Sequence, residues 1–145
     1  MKRFLSACAL LVVLFSSMAY AQKTSDTPQA DPRTTPAYSL LIQRKVKVQA
    51  ELESLLMQCG ADWPNSKTRQ LELDALRTEM KKMLEVSESK LSRLTAGYGA
   101  LILRRVSIDT EIQTLLLEVT DDWPGVKEKQ RELELLDKEI QKIMN

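Results

Sequence analysis

The residues with most chemistry to offer are two acidic pairs, Asp121-Asp122 and Glu132/Glu134, one thiol beyond the N-terminal segment, Cys59, and two bases, Lys45 and Arg105. Paired carboxylates do acid–base work, or hold a cation, when burial or a shared site drives their ionisations apart. Both pairs here fall in charge-patterned helical stretches, where carboxylates ordinarily form a solvated face. The 145 residues include no His, which removes the commonest general base and the commonest metal ligand together. No nucleophile stands beside a base, no glycine-rich loop could cradle a phosphate, and no Cys/His spacing suits a metal. The expectation is a non-enzymatic protein without metal, cofactor or small-molecule substrate.

Such a protein acts through its surface. The formal net charge is +1, so no global field recruits nucleic acid or an acidic substrate. Charged residues make up 28% of the chain and aromatics only 5%, with Leu, Glu, Lys, Arg and Gln dominating the last two-thirds. That is the composition of long helices rather than of a sheet.

The N-terminus reads as an address. Lys2 and Arg3 form a positive start, Phe4 to Phe15 an apolar run, and Ala19-Tyr20-Ala21 a small-residue cleavage box. Residues 1–21 are therefore expected to be a signal peptide cleaved after Ala21, giving an exported, periplasmic or secreted protein that begins at Gln22. The competing reading keeps the segment as an uncleaved anchor. Leu5-Ser6-Ala7-Cys8 mimics a lipoprotein box, but most of the apolar run lies after Cys8, so cleavage there would leave that run on the product. Loss of Lys2 and Arg3 moves the net charge to about −1.

Export implies an oxidising compartment and leaves Cys59 the one thiol, so it either pairs with another molecule or serves as a small buried apolar residue. Its counterpart 60 positions on, Val119, favours burial. Residues 22–36 contain no large apolar side chain and carry Pro28, Pro32 and Pro36, the composition of a disordered, Pro/Thr-rich linker.

That offset of 60 organises the rest. Asp62-Trp63-Pro64 returns as Asp122-Trp123-Pro124, and the shift also pairs Tyr38 with Tyr98, Arg44 with Arg104, Glu51 with Glu111 and Gln70 with Gln130. Eighteen of 48 positions match without a gap, an internal repeat of two helical hairpins, 37–94 and 97–145. Pro fits the first turn of a returning helix, because it has no amide to donate and a fixed φ. It pushes the preceding Trp out of helical backbone. Asp62 and Asp122 are then placed to cap the returning helix, and each Trp to fold over the last turn of the preceding helix, against Leu56 and Cys59 in the first copy. On this reading the six turn residues are structural, and replacing either Trp by Ala chiefly costs stability; the competing reading is that the two Trp mark a docking tip for a partner.

Apolar residues at 38, 41, 48, 52, 55 and 59, and at 98, 101, 108, 112, 115 and 119, alternate by threes and fours with Lys45 and Arg105 inside the seam. Folding about the turn predicts Lys45–Glu79 and Arg105–Glu139 contacts. Gly97 and Gly99 favour a break at 95–99 between the copies, giving an all-α, up-down four-helix bundle or coiled-coil-like assembly. Without it, one long central helix would run through 64–119.

Arg44, Lys45, Arg104 and Arg105 collect toward the open ends of the hairpins as a candidate interaction rim, with Asp62, Glu118, Asp121 and Asp122 at the turn ends. In Leu55-Leu56, Asp62, Pro64, Glu72, Leu73 and Leu76, and in Leu115-Leu116, Asp122, Pro124, Val126, Glu132, Leu133 and Leu136, each hairpin resembles the helical-hairpin arms of bacterial polysaccharide chain-length determinant proteins. The likeness covers one hairpin at a time. It implies a helical hairpin and names no partner; those proteins carry transmembrane helices at both ends, and no second apolar span follows residue 21 here. The functional expectation is protein–protein contact in the bacterial cell envelope, with another protein or by self-association. The alternative is binding of anionic lipid headgroups or cell-wall polymer through the basic rim; a membrane surface is the less favoured partner.

Overall fold

The computed structural model describes residues 31–145. The expected signal peptide, and residues 22–30 of the linker, lie outside the described residues. The described chain is all-helical: α1 (Pro36–Cys59), α2 (Pro64–Leu84), α3 (Ala96–Leu115) and α4 (Pro124–Met144), with 3-10 segments at Pro32–Thr34 and Glu88–Arg93.

The helix starts follow from local chemistry. α2 and α4 both open on Pro, with Trp63 and Trp123 ahead of them in extended backbone, as the missing amide and fixed φ of Pro require. α1 and α3 open on Thr35 and Thr95, whose hydroxyls accept the amides of Tyr38 and Tyr98 at 3.3 and 3.2 Å. These caps satisfy amides that have no carbonyl partner in the first turn. The stretch read as linker thus ends in order: Asp31 accepts the amide of Arg33, and Thr35 starts α1.

The chain does break between α2 and α3, but earlier than the glycines suggested. Helix stops at Leu84, a 3-10 segment follows, and Gly97 and Gly99 lie inside α3. The long-helix alternative through 64–119 is therefore not adopted. Gly99 has a packing reason to be glycine: a Cβ there would sit 2.8 Å from Ala37 Cα and 3.2 Å from its carbonyl oxygen. The starts of α1 and α3 touch at this point, and the Ala37 amide donates to Leu94 O at 3.2 Å. Gly99→Ala should cost about 1–3 kcal/mol, because backbone has to yield. Gly97→Ala, whose Cβ would meet only Thr95 Oγ1 at 3.7 Å, should be neutral or stabilising by up to about 1 kcal/mol. Thermal unfolding followed by circular dichroism separates the two.

α3 is the helix the others gather on. α1 packs on α2 and α3, α2 packs on α3, and α4 packs chiefly on α3 and touches the Glu88–Arg93 segment. The main core joins Leu41, Val48, Leu73, Leu76, Leu94, Ile102 and Val106, all nearly inaccessible. A smaller cluster, Ile108, Ile112 and Val126, lies between α3 and α4. Burying side chains of this size contributes about 1.5–3 kcal/mol each. The coverage is uneven. Leu73 and Leu76 of α2 are buried, while Leu133 and Leu136 of α4 remain half-exposed.

Candidate functional site

The two turns reach the same end of the molecule. Thr68 and Thr114 hydroxyls lie 3.4 Å apart, joining the start of α2 to the end of α3. Leu117 closes a groove of 330 Å³ whose other walls include Leu52, Leu56, Ala61 and Leu71, with Lys67 and Gln70 also lining it.

The turns are built differently. Gly60 takes φ +84° and ends α1 with its amide on Leu56 O; Ser66, itself buried, donates its hydroxyl to Gly60 O at 2.9 Å. The second turn has Thr120 at the glycine position, and a β-branched residue is ill-suited to positive φ. There α3 stops at Leu115, and Leu116 to Glu118 wind on as turns. Leu116 and Leu117 are consequently in solvent, along with Leu56, Met57, Trp63 and Trp123. Six large apolar side chains are therefore exposed around the two turns, among them both tryptophans, 49% and 47% accessible.

The expected roles of the turn residues need correcting. Asp62 and Asp122 do not cap the returning helices, which have no side-chain cap at all. Each instead pairs with the lysine five residues on, Asp62 with Lys67 at 3.6 Å and Asp122 with Lys127 at 2.9 Å. Trp123 lies over its own returning helix: a Cβ on Gly125 would collide with its ring. Pro64 and Pro124 do what was expected of them. Cys59 is exposed at the end of α1, against the expectation of burial.

The rim residues are largely neutralised. Arg44 hydrogen-bonds Glu72 at 2.6 Å, and Arg104 bonds Glu132 at 2.5 Å, the same cross-hairpin link 60 positions later. The offset returns in Arg69–Glu51 at 2.9 Å and Lys129–Glu111 at 2.8 Å. The hydrogen bond from Arg104 holds Glu132 below the ordinary carboxylate value, and that from Lys129 does the same for Glu111. The predicted Lys45–Glu79 and Arg105–Glu139 contacts are absent. Arg105 bonds Asp137 at 2.7 Å and, across to the other hairpin, Glu79 at 2.9 Å. Burial opposes the charge of Arg105, but the bond to Asp137 and the nearby carboxylates of Glu79 and Asp109 hold its pKa above the usual value. Glu79 also takes Lys82, at 2.7 Å, and Glu139 takes Lys142 at 2.6 Å. Lys45 alone of the four rim residues has no acid within reach among the described residues.

Desolvation, then the Glu79 charge, push the Tyr98 phenol above its ordinary value of 10.0, so it stays neutral beside the Arg105 network. Among the described residues no group of acids and thiols could hold a metal ion, and no helix is long and apolar enough to cross a membrane. Sequence reasoning missed three working residues. Thr35 and Thr95 carried a signal, since they too stand 60 apart; Gly60 carried only its residue type. Compared with known protein families, curated proteins and solved structures, the chain matches none.

Proposed function

We propose that this is an exported, non-enzymatic helical-hairpin protein of the cell envelope that works through protein–protein contacts made at its turn end. In this reading the two hairpins are copies of one 60-residue unit packed up-down-up-down as a four-helix bundle. The shared offset of the turns, the threonine caps and the cross-hairpin ion pairs supports that arrangement.

The observation that carries the proposal is the gathering of Leu56, Met57, Trp63, Leu116, Leu117 and Trp123 in solvent around the adjoining turns. Apolar side chains scattered singly need no explanation, whereas a rimmed cluster marks a contact surface. Tryptophan is enriched where interfaces concentrate their binding energy. Glu118 and Asp121 border the cluster without a cation partner among the described residues, which suits a protein surface better than an anionic one. Rim binding of anionic polymers has less support, because Arg44, Arg104 and Arg105 are each held by carboxylates and Lys45 alone of the four is without an acid partner among the described residues.

A photo-crosslinking amino acid placed at Leu117 in producing cells should give a discrete protein adduct. The same group at Glu134, exposed on α4, should give none. No adduct at Leu117, or equal labelling at both positions, would reject the turn end as a contact surface.

A further inference from the structure

α1 has a second unpartnered face. Its buried residues, Ala37, Tyr38, Leu41, Val48 and Leu52, point to α2 and α3. On an exposed flank about a third of a turn away Ile42, Val46, Gln49, Glu53 and Met57 follow one another at steps of four, three, four and four. Such steps keep residues on one stripe of a helix, and a three–four alternation is the pattern of a helix-pairing seam. Val46 is 61% accessible and Met57 83%.

The charges beside this stripe run from basic to acidic along the helix. Lys45 and Lys47 flank its first half, and neither meets an acid among the described residues. Glu53 lies in its second half and is held only by Gln49, one turn back, at 3.1 Å. A stripe that is apolar at both ends, basic early and acidic late complements itself when one copy is turned end for end.

We infer that the outer face of α1 pairs antiparallel with α1 of a second copy, as a closed two-fold dimer. The axis passes between Gln49 and Ala50. Ile42 of one copy then lies opposite Met57 of the other, and Val46 opposite Glu53, whose carboxylate sits between Lys45 and Lys47 of the second copy. A parallel pairing would set lysine against lysine and glutamate against glutamate, which charge repulsion disfavours. The two-fold uses the same patch on both copies and ends assembly at two chains. In this register the two Cys59 residues lie roughly 28 Å apart along the helix, at 1.5 Å per residue, so no disulfide between them holds the dimer.

This pairing adds a second contact face that meets the one proposed above at Met57, and it can fail without it, because crosslinking at Leu117 does not depend on α1. Sedimentation equilibrium on the form beginning at Gln22, which contains every described element, should give a dimer that weakens with salt and ignores reductant. Glu53→Lys should weaken it about tenfold or more, and so should Lys45→Glu combined with Lys47→Glu. An equimolar mixture of those two variants should restore dimerisation, since each then meets its complement. All three positions face solvent or its edge, and unchanged helical circular dichroism confirms folding. A monomer at every concentration, a dimer indifferent to both reversals, a mixture that does not recover, or a dimer lost on reduction would each overturn the pairing.

Discussion

Arg105→Ala is expected to destabilise the protein by about 2–4 kcal/mol, whereas Lys45→Ala, its counterpart 60 positions earlier, should change stability by less than about 0.5 kcal/mol. Arg105 spans three helices: its guanidinium bonds Asp137 on α4 and Glu79 on α2 from its own place on α3. The Glu79 side chain is only 7% accessible. Removing the arginine leaves that buried carboxylate with Lys82 alone, and a buried charge stripped of one partner costs more than the pair contributed. The cost should therefore fall when the orphaned acid is neutralised. Arg105→Ala with Glu79→Gln should recover at least half of the loss, which a double-mutant cycle in urea would measure. Equal effects of Arg105→Ala and Lys45→Ala, or no coupling to Glu79, would mean that the network does not join the hairpins. Loss of the joint should also expose the groove between α2, α3 and α4, where Tyr98, Ile102 and Ile140 meet the same network.

That asymmetry explains what the sequence could and could not convey. Proline, a tryptophan ahead of it and alternating apolar steps make the turns at 60–63 and 120–123 readable without coordinates, because each depends on neighbours in the chain. The break between α2 and α3 is readable as an event but misplaced. Gly97 and Gly99 look like helix breakers, yet Gly99 is needed where α1 crosses, which is a fact about another helix. Lys45 and Arg105 stand 60 positions apart at matching places in the apolar spacing, so a local reading gives them the same kind of partner. They differ because α3 is flanked by both α2 and α4, while α1 has one face in solvent. The exposure of Cys59 escaped for a similar reason. Val119 at the matching position is half-buried beside the second cluster, but the last turn of α1 has no helix over it. The candidate contact surface was legible in part. The tryptophans stood out as turn markers and as a candidate docking tip, and only the early end of α3 at Leu115 shows that Leu116 and Leu117 join them in solvent.

Leu76→Ala is expected to cost about 3–5 kcal/mol and Leu136→Ala, 60 positions later, only about 1–2 kcal/mol. The two leucines match in the sequence offset and in helix position. Leu76 is completely inaccessible within the main core between α1, α2 and α3. Leu136 touches both clusters but stays half-exposed, because α4 leans on α3 and receives little cover from α1. Truncating a fully enclosed leucine loses its transfer free energy and leaves a void that close-packed neighbours cannot fill; a side chain at the margin leaves a dent that water occupies. Denaturant unfolding of the two variants decides the point. Equal losses would mean that α4 is enclosed in solution as fully as α2, either by α1 closing on it or by another chain covering it. If Leu136→Ala becomes the costlier of the two only at high protein concentration, the cover comes from a second molecule. The unfilled side of α4, with Leu135 58% accessible and Ile143 37%, would then be a contact surface in its own right. With independent losses in the predicted order, the second hairpin is the less stable half, and gradual unfolding should begin with α4 separating from α3 while α1 and α2 remain paired.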